Sequence, residues 1–256
     1  IIKPKMGSLI FKDLKIPLGD INPETQIGND IFMLKTIQII ADWNKSKKYY
    51  NLKTSGSTGK PKVIKFSKEE LEASAKLTIG TFNLTKEDPL LLCLNPDFVA
   101  GFMMIIRAMV LESDLIVTEP KRNPIEDIPR DMKPGFAAFI SMQLNSISKG
   151  PTEGKSILNQ MKAIIVGGAP VSKSDEELFR KIACPVYQTY GMTETLTHVA
   201  IKRINGKNPD KFYRPLKGVT LIQDKRGCLV IETAVLPGKR IITNDLVELF
   251  PDGQFD

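Results

Sequence analysis

Thr54-Ser55-Gly56-Ser57-Thr58-Gly59-Lys60-Pro61-Lys62 packs hydroxyls, glycines and lysines into nine residues, and the elements on either side of it set the character of the chain. Glycine lets backbone N–H groups surround an anion with no Cβ in the way, hydroxyls add donors, and lysine brings charge to a polyphosphate. The loop is not a Walker A motif. Gly56 and Gly59 are three apart, and Pro61 follows Lys60 where that motif has Ser or Thr. This removes a magnesium-binding hydroxyl and blocks immediate continuation into a helix. Taken alone, the stretch also reads as a flexible Gly/Ser turn.

Tyr49 to Lys53 enters the loop as a predicted strand and Val63 to Phe66 leaves it as another, a hairpin-like arrangement. Upstream, an extended entry segment with one short strand leads to a helix predicted over Ile31 to Lys45, with an apolar stripe at Ile31, Leu34, Ile37, Ile40, Ala41 and Trp43. Downstream, Ser67 and Glu70 form a capping-box signature that predicts a helix from Ser67 to about Phe82. Leu90 to Leu94 reads as a strand buried on both faces, Phe98 to Leu111 as a helix and Asp114 to Thr118 as a strand. Pro120, Pro124, Pro129 and Pro134 mark a connection. Phe136 to Ser141 and Lys162 to Val166 are predicted strands with a helix between them from about Met142. Lys173 to Ala183 is a predicted helix and Pro185 to Thr189 a strand.

This alternation predicts an α/β fold with a largely parallel sheet flanked by helices. From Val199 the pattern changes to short strands at Gly218 to Ile222, Cys228 to Thr233 and Arg240 to Phe250. The expectation is therefore an α/β core over 1–198 and a small antiparallel, barrel-like β part over 199–256.

The 256 residues suffice for a sizeable core, with 42% hydrophobic and 25% charged residues. The net charge of +7 is spread along the chain without interleaved aromatic residues, which favours acidic small molecules over nucleic acid. Three widely spaced cysteines indicate neither a disulfide framework nor a CxxC metal site and fit a reducing cytoplasm. The longest apolar run, Phe98 to Ile106, is broken by Arg107 well short of a membrane span. A start at Ile1 suggests a missing or processed beginning.

Tyr190-Gly191-Met192-Thr193-Glu194 follows a predicted buried strand, where a hydroxyl and a carboxylate meet a phosphate and its magnesium, or form a surface turn. Gly167-Gly168-Ala169-Pro170 is small enough for a flat purine to lie against the backbone, and equally a tight strand-to-helix turn. Asp245 is a candidate acceptor for ribose hydroxyls, or a structural strand-edge residue. His198 is the only histidine, so no metal site built on a pair of histidines is available.

Taken in order, the 54–62 loop, Gly167 to Pro170, Gln188 to Glu194 and Asp245 resemble the motifs of the adenylate-forming superfamily, which includes acyl-CoA synthetases, adenylation domains and luciferases. Within it, Tyr190 to Ile201, Arg226 to Ile231 and Ile242 to Leu246 look most like the o-succinylbenzoate-CoA ligases of menaquinone synthesis. The resemblance implies the layered α/β N-terminal domain of these enzymes. It also implies a two-step reaction: an acid and ATP give acyl-AMP and pyrophosphate, then coenzyme A displaces AMP.

By the same resemblance, Thr54, Ser55, Gly56, Ser57, Thr58, Gly59 and Lys62 hold the β- and γ-phosphates. Thr193 takes the α-phosphate and Glu194 the Mg2+. Gly167, Gly168 and Ala169 with Gln188, Thr189, Tyr190 and Gly191 enclose adenine, and Asp245 binds ribose. Phe98, Gly101, Met192, Thr197 and His198 wall the acyl pocket.

Two departures from the family pattern are present. Asp97 and Phe98 stand where an aromatic-His pair is usual, and Thr243, Asn244 and Asp245 where Thr-Gly-Asp is usual. The resemblance also implies a small C-terminal domain with a catalytic lysine after Asp256, so this chain is expected to bind ATP and acid but to be deficient in turnover. An adenylating enzyme for another acid, a non-catalytic ATP-binding module and a basic nucleic-acid scaffold remain alternatives.

Overall fold

The computed structural model describes residues 6–28, 30–54 and 62–256. The expected phosphate-loop residues Ser55, Gly56, Ser57, Thr58 and Gly59 lie outside the described residues. Two short strands, β1 (Ser8–Phe11) and β2 (Leu14–Pro17), open the chain where the sequence suggests one. Helix α1 (Ile31–Asn44) starts at Asp30, whose carboxylate accepts from Met33 N at 2.9 Å. Its stripe is rotated from the predicted one. Ile31 and Leu34 are 81% and 46% exposed, while Met33, Ile37, Ile40 and Ala41 face inward at helical spacing.

Strands β3 (Tyr49–Lys53) and β4 (Val63–Ser67) pair antiparallel from Tyr49 with Ser67 to Lys53 with Val63, forming the expected hairpin. Helix α2 (Lys68–Thr81) begins at the expected capping box. Ser67 Oγ accepts from Glu70 N at 3.2 Å, and Ser67 N donates to Glu70 Oε2 at 2.8 Å. Then follow β5 (Leu90–Leu92), α3 (Val99–Leu111), β6 (Leu115–Val117), β7 (Phe136–Phe139), α4 (Ser141–Lys149) and α5 (Thr152–Gln160). The single helix predicted from Met142 is two, because Pro151 lacks the N–H that would carry the helix past Gly150.

β8 (Ala163–Val166), α6 (Lys173–Phe179) and β9 (Val186–Met192) complete the alternation. α6 stops earlier than predicted, and β9 runs on through Tyr190 and Gly191 to Met192. The extension is stabilised by β10 (Thr197–Arg203), which pairs antiparallel with β9 and carries the chain across residues 198 and 199 inside the same sheet. β11 (Arg214–Pro215) adds to its edge. β12 (Val219–Gln223), β13 (Cys228–Thr233) and β14 (Arg240–Leu246) form a separate three-stranded antiparallel sheet.

The large sheet has the order β11-β10-β9-β8-β7-β5-β6-β1-β2 among the described residues, parallel from β9 through β1 and antiparallel at both edges. Alternate residues of its strands enter two cores. Leu90, Leu92, Phe136, Ala138 and Ile165 join one face with α1, α2 and α3, whereas Leu91, Phe139, Ile164 and Val166 join the other with α4, α5 and α6. The chain leaves β5 toward β6 and returns through β7 on the other side, so the strand order reverses at β5. Ligands of open α/β sheets bind beyond the carboxyl ends of strands at such a reversal.

The capping box is directly testable. Ser67→Ala removes the Oγ acceptor of Glu70 N, leaving that donor in the first turn of α2 without its partner, and is expected to lower unfolding free energy by about 1 kcal/mol, read from the urea midpoint at unchanged slope.

Candidate active site

The segments following β5, β7, β8 and β9 all emerge at the carboxyl edge of the parallel strands. Gly101, in the first turn of α3, sits where a Cβ would lie 2.5 Å from the carbonyl oxygens of Leu94 and Asn95, so this close approach of helix to strand end admits only glycine. Phe98 immediately precedes α3 and is half exposed. After β8, a Cβ on Gly167 would lie 2.6 Å from Thr189 Oγ1, which itself donates to Val166 O at 3.2 Å. Gly168 takes φ +88° beside Ile140 at the end of β7, and Gly168 and Ala169 are exposed while Gln188 is buried. The 167–169 turn and the 188–189 stretch of β9 are therefore neighbours.

β9 and β10 approach so closely that a Cβ on Gly191 would stand 2.2 Å from Thr197 O. The register shifts between His198 and Ala200, and such a bulge re-aims the side chains around it. One turn of 3-10 helix, Thr193–Thr195, links the strands and ends on Leu196 at φ +67°, a left-handed conformation that costs a branched residue about 1–2 kcal/mol. Thr195 helps hold it: Oγ1 donates to Met192 O and accepts from Met192 N, both at 3.0 Å. Thr193 is buried and Glu194 half-buried.

No group of three His, Cys, Asp or Glu suited to a metal occurs among the described residues. Glu194 offers a single half-buried carboxylate in the turn after β9, and Mg2+ is ordinarily held by one or two carboxylates with substrate phosphates and water. At the base of the 54–62 loop, Thr54 N donates to Lys62 O at 2.9 Å and Lys62 N to Thr54 Oγ1 at 3.0 Å, closing the hairpin beneath the loop.

Two associations bring distant residues together. Tyr190 Oη donates to Asp245 Oδ2 at 2.6 Å, joining β9 to β14. Arg107, in the middle of α3, is 1% exposed, and its Nη2 donates to Thr197 Oγ1 at 3.0 Å. Thr197 Oγ1 in turn lies 3.1 Å from His198 Nδ1. Among the described residues, Arg107 Nε and His198 Nε2 are buried without hydrogen-bond partners. Burial brings the guanidinium down to about 9, so it stays charged at neutral pH. Burial, and then the Arg107 charge, hold His198 down at about 3 and hence neutral.

In the sequence Arg107 stands out only as the break in an apolar run. A lone arginine amid Phe102, Met103, Met104, Ile105 and Ile106 was the available signal, because a charge in a helix buried all round requires a reason. The two described cavities lie elsewhere. The larger, about 580 Å³, is lined by Tyr49, Lys65, Glu69, Val235 and Lys239 among others.

A model of the family described as AMP-binding enzyme matches residues 35–227. The crystal structure of an acyl-CoA synthetase (AMP-forming)/AMP-acid ligase II-like protein from Dyadobacter fermentans matches with TM-score 0.80 and 35% identity, covering 90% of this chain and 65% of that one. An o-succinylbenzoate coenzyme A synthetase from Bacillus subtilis, solved with ATP and magnesium ion, matches in fold with TM-score 0.65 at 18% identity, over 80% of this chain and 48% of that one. The 2-succinylbenzoate–CoA ligase of Enterococcus faecalis is 32% identical over 152 residues, covering 57% of this chain and 30% of that protein. The corresponding ligase of Listeria innocua is 24% identical over 222 residues, covering 83% of this chain and 46% of that protein. The chain thus spans less than half the length of these curated relatives.

His198 gives the site a pH signature. Its unfolded pKa of 6.5 exceeds the folded value of about 3, so the unfolded chain binds the extra proton between those limits. The contribution to stability is whole above the unfolded pKa and falls as pH drops, at up to about 1.4 kcal/mol per pH unit. Between about pH 7 and pH 5 the native chain should lose roughly 2 kcal/mol more than His198→Asn, measured by urea unfolding at both pH values.

Proposed function

The chain belongs to the AMP-binding enzyme family, and from this premise we propose that it forms the nucleotide- and acid-binding part of a magnesium-dependent acid–CoA ligase, with o-succinylbenzoate as the acid. The observation that carries the choice of acid is Arg107. A carboxylate that is activated loses its charge as the acyl-adenylate forms, so it has no lasting use for a buried cation. A second carboxylate on the substrate does. An unpaired guanidinium at this depth costs several kcal/mol, which an anion seated at Thr197 with Arg107 behind it would offset. An acid with two carboxylates fits this requirement, and a simple fatty acid does not. We place the reaction in the cytoplasm, in menaquinone synthesis.

In the first step an oxygen of the reacting carboxylate attacks the α-phosphorus of ATP. The bond to the β-phosphate oxygen breaks and pyrophosphate leaves. Thr193 stabilises the α-phosphate by donating its hydroxyl, while the 54–59 hydroxyls and N–H groups with Lys62 hold the departing β- and γ-phosphates. Glu194 would hold Mg2+, which supplies charge neutralisation when bound. The 167–169 turn and residues 188–191 take adenine and Asp245 takes ribose, so positioning supplies much of the remaining rate. In the second step the thiolate of coenzyme A attacks the acyl carbon and AMP leaves.

Calorimetry tests this reading. ATP should bind only weakly without Mg2+, and o-succinylbenzoate should tighten Mg-ATP binding, whereas a monocarboxylic acid of similar size should do so less. ATP binding indifferent to every acid would instead mark a non-catalytic nucleotide module. Arg107→Met should weaken o-succinylbenzoate about tenfold or more and leave Mg-ATP unchanged. Lys62→Ala should do the opposite, weakening Mg-ATP by about tenfold with acid binding to the free protein unaltered.

A further inference from the structure

Asp245 is the exposed carboxylate assigned above to the ribose, and this inference rests on that assignment. Its surroundings are unusually specified for an exposed side chain. Asp245 N donates to Thr243 Oγ1 at 3.1 Å, and that hydroxyl donates to Leu229 O at 2.8 Å. Arg226 donates from Nη2 to Thr243 O at 3.0 Å and from Nη1 to Asn244 Oδ1 at 3.1 Å, while its Nε donates to Asp224 Oδ2 at 2.9 Å. Asn244, the residue at the unusual middle position of the Thr-Asn-Asp run, is thereby tied to the turn between β12 and β13. The backbone carrying Asp245 is held from below.

From the other side comes Tyr190 Oη, at 2.6 Å from Asp245 Oδ2. The ring of Tyr190 is held edge-on against Phe255, centroids 5.1 Å apart, and against Tyr213 at 6.1 Å. Tyr213 and Phe255 are stacked on each other, and Phe255 is buried. The phenol therefore meets the carboxylate from a ring that is itself packed in place. Burial, then the hydrogen bond to Asp245, push the Tyr190 hydroxyl well above its ordinary range, so it remains a donor at neutral pH.

We propose that Tyr190 is a positioning residue that acts through its hydroxyl. By donating to Oδ2 it locks the Asp245 carboxylate in one orientation and leaves Oδ1 as the acceptor for the vicinal hydroxyls of the nucleotide ribose. Recognition of ribose against deoxygenated sugar is then a joint property of two strands in different sheets. A purely structural tie between the sheets would move stability without moving sugar selectivity.

The test is calorimetric binding of Mg-ATP and of Mg-2′,3′-dideoxy-ATP to the native chain, Tyr190→Phe, Asp245→Asn and the double variant, with thermal unfolding as the control for folding. Phenylalanine keeps the ring and removes only the hydroxyl. The expected result is an ATP affinity about tenfold lower in Tyr190→Phe, little change for the dideoxy nucleotide, and no further loss of selectivity in the double variant. Equal losses for both nucleotides in Tyr190→Phe, or none, while Asp245→Asn abolishes selectivity, would overturn the proposal and leave the ribose assignment standing. A native chain that binds both nucleotides equally would overturn both.

Discussion

Burial of both faces of the parallel strands is the constraint on which the rest of the molecule depends. β5, β6, β7 and β8 are buried at every position. Their alternate side chains feed two cores, and each fully buried Leu, Ile or Phe contributes about 1.5–3 kcal/mol. A sheet covered on both sides needs helices on both sides, and parallel neighbours need crossovers that return the chain to the same starting edge. The carboxyl ends of these strands therefore open at one edge. The segments there carry the glycines, hydroxyls and carboxylate of the candidate site.

The polar groups that matter are set where this sheet meets other elements. α3 is sandwiched between the sheet and the outer helices, and its apolar surface is what desolvates Arg107. The same helix that stabilises the fold thus keeps a charge in a medium where its interaction with an anion is strong. His198, pressed toward Phe82 with ring centroids 6.2 Å apart, is neutral for the same reason and does not compete with the guanidinium for an anion. At the opposite seam, β9 continues beyond its parallel partner and delivers Tyr190 to the small antiparallel sheet.

Much of this architecture was legible in the residues, because the signals are local. The Ser67–Glu70 box, the strands flanking the 54–62 loop and the apolar runs at 90–92 and 163–166 each carry their own period or cap. Local signals also explain the errors. The inward face of α1 depends on where its neighbours lie, so Ile31 and Leu34 extended the apolar stripe while pointing to solvent. The break between α4 and α5 was written in Gly150 and Pro151, and the continuous polar-apolar pattern across them obscured it. The extra length of β9 had no local sign, since Gly191 disfavours a strand until β10 approaches closely enough to require it.

By itself the sequence determined the alternation of strands and helices, the hairpin around the 54–62 loop and the order of the motifs that mark the family. These follow from side-chain period, capping and residue size within a few positions of one another. Only the tertiary structure decided that Arg107 faces Thr197 across 90 residues and that Tyr190 reaches Asp245 across 55. Sheet register and helix packing set those distances. A hydrogen bond of 2.6 to 3.0 Å leaves no trace in a sequence whose two partners are ordinary residues on separate strands and helices.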